Sequence, residues 1–336
     1  MENKLDRLFK EGVLVDVRFT RWLGNISLDP EDLGVNSADL NGELYSLGVK
    51  RLLPVDWRKS ITRIEGSARS FLAGHSFPFP VGAAHFVPIK MVPVILDRLT
   101  EIKNEWDAMV DTIEHEYGSI QSAMIAMYEQ QAPSIHARLN TDEDVDAFTA
   151  RFVASIRAAY PQDIRSRFSM RYNLFTVTTP NGINEGNLVN ISDDHNKILN
   201  EAKSKARERI NKQVDEFTES VVAALRHEIA DTCNNVLRIF EDGRTPNQKS
   251  VDKLRRLISK FKTLNFLGDR EIDAKLASVQ ELLQGRESGD FRSSETLASE
   301  LRDRIEATGD AARRTVSEAE IVESFGGAGR RILRGD

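Results

Sequence analysis

The sequence predicts a mainly α-helical chain with a small antiparallel β-sheet in its N-terminal half, and three observations carry that reading. Apolar residues recur at three- and four-residue intervals along two stretches of about forty residues, the rhythm of long amphipathic helices. Only three short segments have the alternation or the β-branched and aromatic content of strands. With 336 residues and 40% apolar content, the chain can bury a substantial core and is long enough for more than one domain.

In the first strand segment, Val13, Val15, Val17 and Phe19 alternate with Leu14, Asp16, Arg18 and Thr20, the period of a half-buried strand. The second runs from Ala84 to Ile89. The third, Phe168 to Thr178, ends at Pro180-Asn181-Gly182, a turn signal. Lying far apart in sequence, the three are expected to form one antiparallel sheet covered on one face by helices.

Helical sequence fills the intervals. Ile61, Ile64, Ala68, Phe71 and Leu72 mark a helix closed by Gly74. The next, 93–131, carries the stripe Leu96, Leu99, Ile102, Trp106, Met109, Ile113, Tyr117, Ile120, Met124 and Met127, close to a heptad repeat. At 1.5 Å per residue it would be about 58 Å long, so it needs another long helix or a partner to cover it. Thr141, followed by Asp142, Glu143 and Asp144, reads as the cap of a helix that Pro161 stops.

A second long helix, 194–241, begins after Ser192 and carries Leu199, Ala202, Ala206, Ile210, Val214, Phe217, Val221, Leu225, Ile229, Val236 and Phe240. The simplest packing sets it antiparallel to 93–131. Thr245-Pro246-Asn247-Gln248 reads as a capping box with proline at the first helical position, opening a helix to Leu264. Asp269–Gln284, closed by Gly285, and Ser294–Ser324, closed by Gly326-Gly327, follow; the last is alanine-rich and reads as a peripheral arm. Residues 285–290 read as a linker. The division that results is an α+β domain over 1–190, a helical domain over 191–285, and a C-terminal helix with a flexible tail over 286–336.

Motifs for catalysis and metal binding are absent from the sequence. Cys233 is the only cysteine, so there is neither an internal disulfide nor a multi-cysteine zinc pattern, and its apolar helical setting marks it as a small core residue. His75 and His85 share a loop but lack further ligands, and His115-Glu116 starts a zincin-like motif in which Ser119 stands where the second histidine belongs. No phosphate-binding glycine loop and no nucleophile elbow occurs, and Gly326-Gly327-Ala328-Gly329 follows no strand. A non-enzyme without metal or cofactor is therefore expected. A charged N-terminus and the lack of an apolar run of about 18 residues predict a cytoplasmic protein without a membrane span. Arg334-Gly335-Asp336 without a secretion signal reads as chance.

The chain carries a net charge of −6, so attraction to nucleic acid or anionic lipid would have to be local. One segment qualifies. Lys249, Lys253, Arg255, Arg256, Lys260 and Lys262 stand with the single acid Asp252, opposite Val251, Leu254, Leu257, Ile258 and Phe261, making a basic amphipathic helix. A solvated face over a packed stripe is the commoner origin of this pattern; binding to phosphates or an acidic partner is the functional one. Arg330, Arg331 and Arg334 add a second basic spot.

Several segments together carry a family likeness. Leu14-Val-Asp-Val-Arg-Phe-Thr-Arg-Trp-Leu-Gly24, Asp29-Pro-Glu-Asp-Leu-Gly34 and Leu44-Tyr-Ser-Leu-Gly-Val-Lys-Arg-Leu-Leu53 resemble the opening of the bacterial and phage domain of unknown function 3150 family. Phe71-Leu-Ala-Gly-His-Ser-Phe77, Val81-Gly-Ala-Ala-His-Phe-Val-Pro88 and Arg167-Phe-Ser-Met-Arg-Tyr-Asn-Leu-Phe175 are similar to its later elements, so the likeness spans residues 10 to 180. The resemblance supplies no catalytic residues. It implies a protein encoded beside a MoxR-like AAA+ ATPase and a von Willebrand A-type domain protein, in phages and mobile elements. The expected function is a non-catalytic adaptor or scaffold that partners such an ATPase or assembles with its own copies. The alternative is a nucleic-acid-binding protein using helix 249–262.

Overall fold

The computed structural model describes residues 4–33, 47–80, 82–139, 142–177 and 193–316. Helix α1 (Lys4–Glu11) leads directly into strand β1 (Gly12–Thr20), and β2 (Asn25–Ser27) pairs antiparallel with β3 (Val49–Arg51). Helix α2 (Val55–His75), strands β4 (Phe77–Pro78) and β5 (His85–Pro88), and the long helix α3 (Val92–His136) follow. Helix α4 (Val145–Ala158), strand β6 (Ser169–Phe175) and the 49-residue helix α5 (Asp193–Glu241) come next. The chain continues with α6 (Gln248–Leu264), α7 (Arg270–Leu283), α8 (Ser288–Ser293) and α9 (Glu295–Arg313).

The chain is thus mainly α with a small antiparallel sheet, as the sequence predicts. The three expected strands lie in one sheet of order β4-β5-β1-β6, joined by the two-residue β4. Gly12 sits opposite Pro88 and Val15 opposite His85. The expected half-buried alternation of β1 holds only from Val17 onward. Leu14, Val15 and Asp16 are buried in succession, as in a central strand covered on both faces.

The chain groups into two compact units, each assembled from separated segments rather than cut at linkers. One comprises residues 1–16, 72–95 and 173–336; the other comprises 17–71 and 96–172. In the second unit, α4 turns Phe148, Phe152, Val153 and Ile156 onto Ile125 and Ala132 of α3, with Leu52 and Tyr160 completing the core. Two tyrosine hydroxyls there are matched: that of Tyr160 donates to Leu52 O at 2.9 Å, and that of Tyr117 to Pro161 O at 2.8 Å. Lys50 and Asp32 are buried as an ion pair at 2.5 Å, and the ammonium also lies 5.3 Å from the Phe152 ring centroid. Trp106, fully buried, meets Phe19 edge-on at 5.0 Å.

In the first unit, Phe86 of β5 gathers Phe217 of α5, Phe266 and Phe9 of α1 around its ring, and Lys4 pairs with Asp215 at 2.8 Å. Within this unit helix α5 packs along α9. Cys233 faces Gly309, while Arg226, two turns earlier, reaches the carbonyls of Ala311 and Arg314, so α5 and α9 run antiparallel. The physical reason is close approach: Thr308, Gly309 and Ala312 are small enough to let α9 lie against α5, with Leu301 and Ile305 in the core. Helix α9 is therefore a core element rather than a peripheral arm.

Other boundaries shift for local reasons. Helix α2 runs one residue past Gly74, and α3 continues through Pro133 to His136. The cap of α4 is Asp144, which accepts from Asp146 N and Ala147 N; Thr141 lies outside the described residues. Residues 285–290 are not a free linker: Glu287 and Asp290 form a capping box for α8, and Phe291 is fully buried. The Pro180-Asn181-Gly182 turn and everything after Val316 lie outside the described residues.

Candidate interaction surface

Helix α6 forms where the sequence places it, though with a different cap. Asn247, not Thr245, accepts from Ser250 N at 3.0 Å, which puts Pro246 before the cap rather than at the first helical position. Its apolar residues Val251, Leu254, Leu257, Ile258, Phe261 and Leu264 are all buried. Since successive helical residues are about 100° apart, the six predicted cations cannot share one line. Lys249, Lys253, Arg256 and Lys260, spaced four, three and four residues apart, fall along one ridge opposite the core. Arg255 and Lys262 fall on the flank facing α7.

The structure gives the two groups different duties. On the α7 flank, the Arg255 guanidinium donates to the carbonyls of Leu283 and Arg286 at the end of α7 and lies 3.3 Å from Asp252. Lys262 donates to Gln280. Between them is an open groove of about 720 Å³, floored by Ile258 and Leu283 and edged by Thr263 and Gln284. On the ridge, Lys260 is held at 2.8 Å by both carboxylate oxygens of Glu228 on α5. Lys249, Lys253 and Arg256 are exposed, and none makes an ion pair with a described residue. Of the six predicted cations, these three make no hydrogen bond or ion pair with a described residue; Lys262 is exposed as well but is bonded to Gln280. Arg330, Arg331 and Arg334 lie outside the described residues.

The remaining candidates take structural places. Cys233 is buried and faces α9, and burial pushes its thiol up to about 12, which makes it a packing residue. His85 is pushed below its ordinary value by burial. The Ser76 hydroxyl donates to Leu72 O, leaving its oxygen to accept from His85 Nδ1 at 3.0 Å. Among the described residues no group of three potential metal ligands comes together, and no helix is long and apolar enough to cross a membrane.

Sequence reasoning missed one polar cluster altogether. Arg226, on α5, is buried and grips the Asp269 carboxylate through Nε at 2.7 Å and Nη2 at 3.1 Å. It also donates to Glu271 and to the last carbonyls of α9. Asp269 is at the same time the cap of α7, accepting from Ile272 N. The available signal was an arginine set between Leu225 and Ile229 on an otherwise apolar stripe. A second missed feature is the polar N-terminal portion of α5, where Glu208, Glu216 and Glu219 are exposed along one face.

No curated protein and no solved structure matches this chain. A family model described as "Protein of unknown function (DUF3150)" matches residues 9–294, which extends the likeness seen in the sequence from residue 180 through α5, α6, α7 and α8. Matched over most of its length, from the start of the sheet to the helices that frame the cation ridge, the chain belongs to the domain of unknown function 3150 family.

Proposed function

We propose that the chain is a non-catalytic scaffold or adaptor that holds protein partners on its helical surfaces, the partner implied by its family likeness being a MoxR-like AAA+ ATPase. The observation that carries this reading is the exposed triad Lys249, Lys253 and Arg256, raised on a helix whose opposite face is fixed in the core. A rigid helix that presents charge in register suits the surface of an acidic protein. The open grooves beside it, lined by side chains of paired helices, have the form of docking tracks for an extended or helical segment.

The test is co-expression of the tagged chain with the ATPase and the von Willebrand A-type protein encoded beside it. Retention of the ATPase by the wild-type chain, with at least a tenfold loss in Lys253→Glu/Arg256→Glu, is the expected result. A chain that leaves both proteins unbound at near-physiological salt, and recovers only itself as monomer, overturns the proposal.

The same triad favours a second reading, binding to the phosphate backbone of nucleic acid. Three phosphate contacts would make log K fall with log salt at a slope of about −2.7 on duplex DNA. A mobility shift that is absent at low salt removes this reading.

A further inference from the structure

We infer that the cation triad of α6 is a docking site for a second copy of this chain, and that its counterpart is the acidic face of α5. This rests on the scaffold reading and names one partner for that surface. The triad needs a polyanionic occupant, and the chain itself carries an acidic excess, with 52 Asp and Glu against 46 Lys and Arg. Part of that excess is concentrated on one helical face. Glu208, Asn211, Lys212, Asp215, Glu216 and Glu219 line a shallow polar groove of about 710 Å³ along α5.

Within that groove, Asp215 is held by Lys4, and Lys212 lies 3.7 Å from Glu216. Glu208 and Glu219 make no ion pair with a described residue, so the face stays net acidic. The spacing also matches. Lys253 and Arg256 are three residues apart, as are Glu216 and Glu219, so helices lying side by side bring both pairs together, each about 4.5 Å apart along its axis. Nucleic acid is the less favoured occupant: the chain is acidic overall, and three cations make a small phosphate footprint.

Because the basic and acidic surfaces are different patches of one molecule, copies can join head to tail, giving rings or open filaments, or reciprocally about a two-fold axis, giving a dimer in which both contacts are made. Exposed ion pairs are individually weak and screened, so assembly depends on concentration and is lost in salt.

Sedimentation velocity on the full chain is the measurement. The wild type should exceed its monomer mass of 37.8 kDa increasingly with concentration at low salt, and return to it near about 1 M salt. Lys253→Gln/Arg256→Gln and Glu216→Gln/Glu219→Gln keep good helix formers on exposed positions, and each should be monomeric alone. Mixed one to one, they should stop at a heterodimer, since only one complementary pair of faces remains.

Wild-type monomer at low salt, assembly by either variant alone, or a mixture that stays monomeric overturns the inference. So does a labelled single-stranded oligonucleotide that binds through Lys253 and Arg256 while the chain stays monomeric. A monomeric wild type that still retains the ATPase defeats self-docking and leaves the scaffold standing; loss of both defeats both.

Discussion

Replacing Arg226 with alanine should destabilise the unit built around α5 by about 3–5 kcal/mol, the usual loss when one partner of a buried ion pair is removed. The structure says why the upper part of that range applies. Arg226 and Asp269 each have only 4% of their side chain exposed, so the carboxylate left behind can regain little water. The same truncation releases the carbonyls of Ala311 and Arg314, the last turn of α9, which loosens the helix covering α5. For a unit of this size, about 2–4 °C per kcal/mol gives a fall in Tm of about 6–20 °C.

Urea unfolding followed by far-ultraviolet circular dichroism measures the loss directly. Arg226→Met/Asp269→Asn should recover much of it, because the charges leave together and asparagine still caps α7. A loss below about 1 kcal/mol in Arg226→Ala, or a double variant no better than the single one, would refute the reasoning. An acid limb accompanies the network. Burial alone would raise the Glu271 carboxyl, but hydrogen bonds from Arg314 and Arg226 outweigh it and hold the group below its ordinary value. With the folded pKa depressed, this stabilisation is present above the unfolded pKa and is lost as pH falls through the folded one; it should shrink in Arg226→Ala.

Three further perturbations test local parts of the fold. At Gly12 an added Cβ would overlap the Val87 carbonyl oxygen and sit 2.6 Å from the Phe86 ring, so Gly12→Ala should cost about 1–3 kcal/mol by urea titration. Asn247→Ala should cost about 1 kcal/mol through the lost cap of α6, whereas Thr245→Ala should leave stability nearly unchanged; equal losses would restore Thr245 as the cap. Cys233, raised to about 12 by burial, should fail to react with a disulfide reagent at about pH 8 in the native protein and react once in denaturant.

Much of the secondary structure was legible because it is local. The two long helices, the three sheet strands and the helix starts at Asp269 and Ser294 follow from periodicity and short-range chemistry, and they stand close to where the sequence puts them. Errors arose where two local signals competed. Thr245 and Asn247 can both cap a helix, and the geometry of the chain entering α6 selects Asn247. The two-residue β4 and the β2–β3 pair are too short for any period to show.

The six cations of 249–262 were equally plain as a basic helix, but their division was not. An amphipathic pattern fixes which residues face out. It says nothing of which outward residues a neighbour will hold, and here Leu283, Glu228 and Gln280, all from other helices, take Arg255, Lys260 and Lys262. What remains unpartnered is a property of tertiary structure.

The sequence by itself determined that the chain is helical with a small sheet, that Cys233 is buried, and that one helix is basic, since each depends on neighbours within a few turns. Only the tertiary structure decided that α9 covers α5, because that packing turns on the small buried residues Thr308, Gly309 and Ala312 of α9, with Gly309 meeting Cys233 across the interface. It also decided that Arg226 belongs to the core, since its compensating charges come from residues more than forty positions away. Apolar stripes specify that a face will be covered; shape and charge brought from distant segments specify by what.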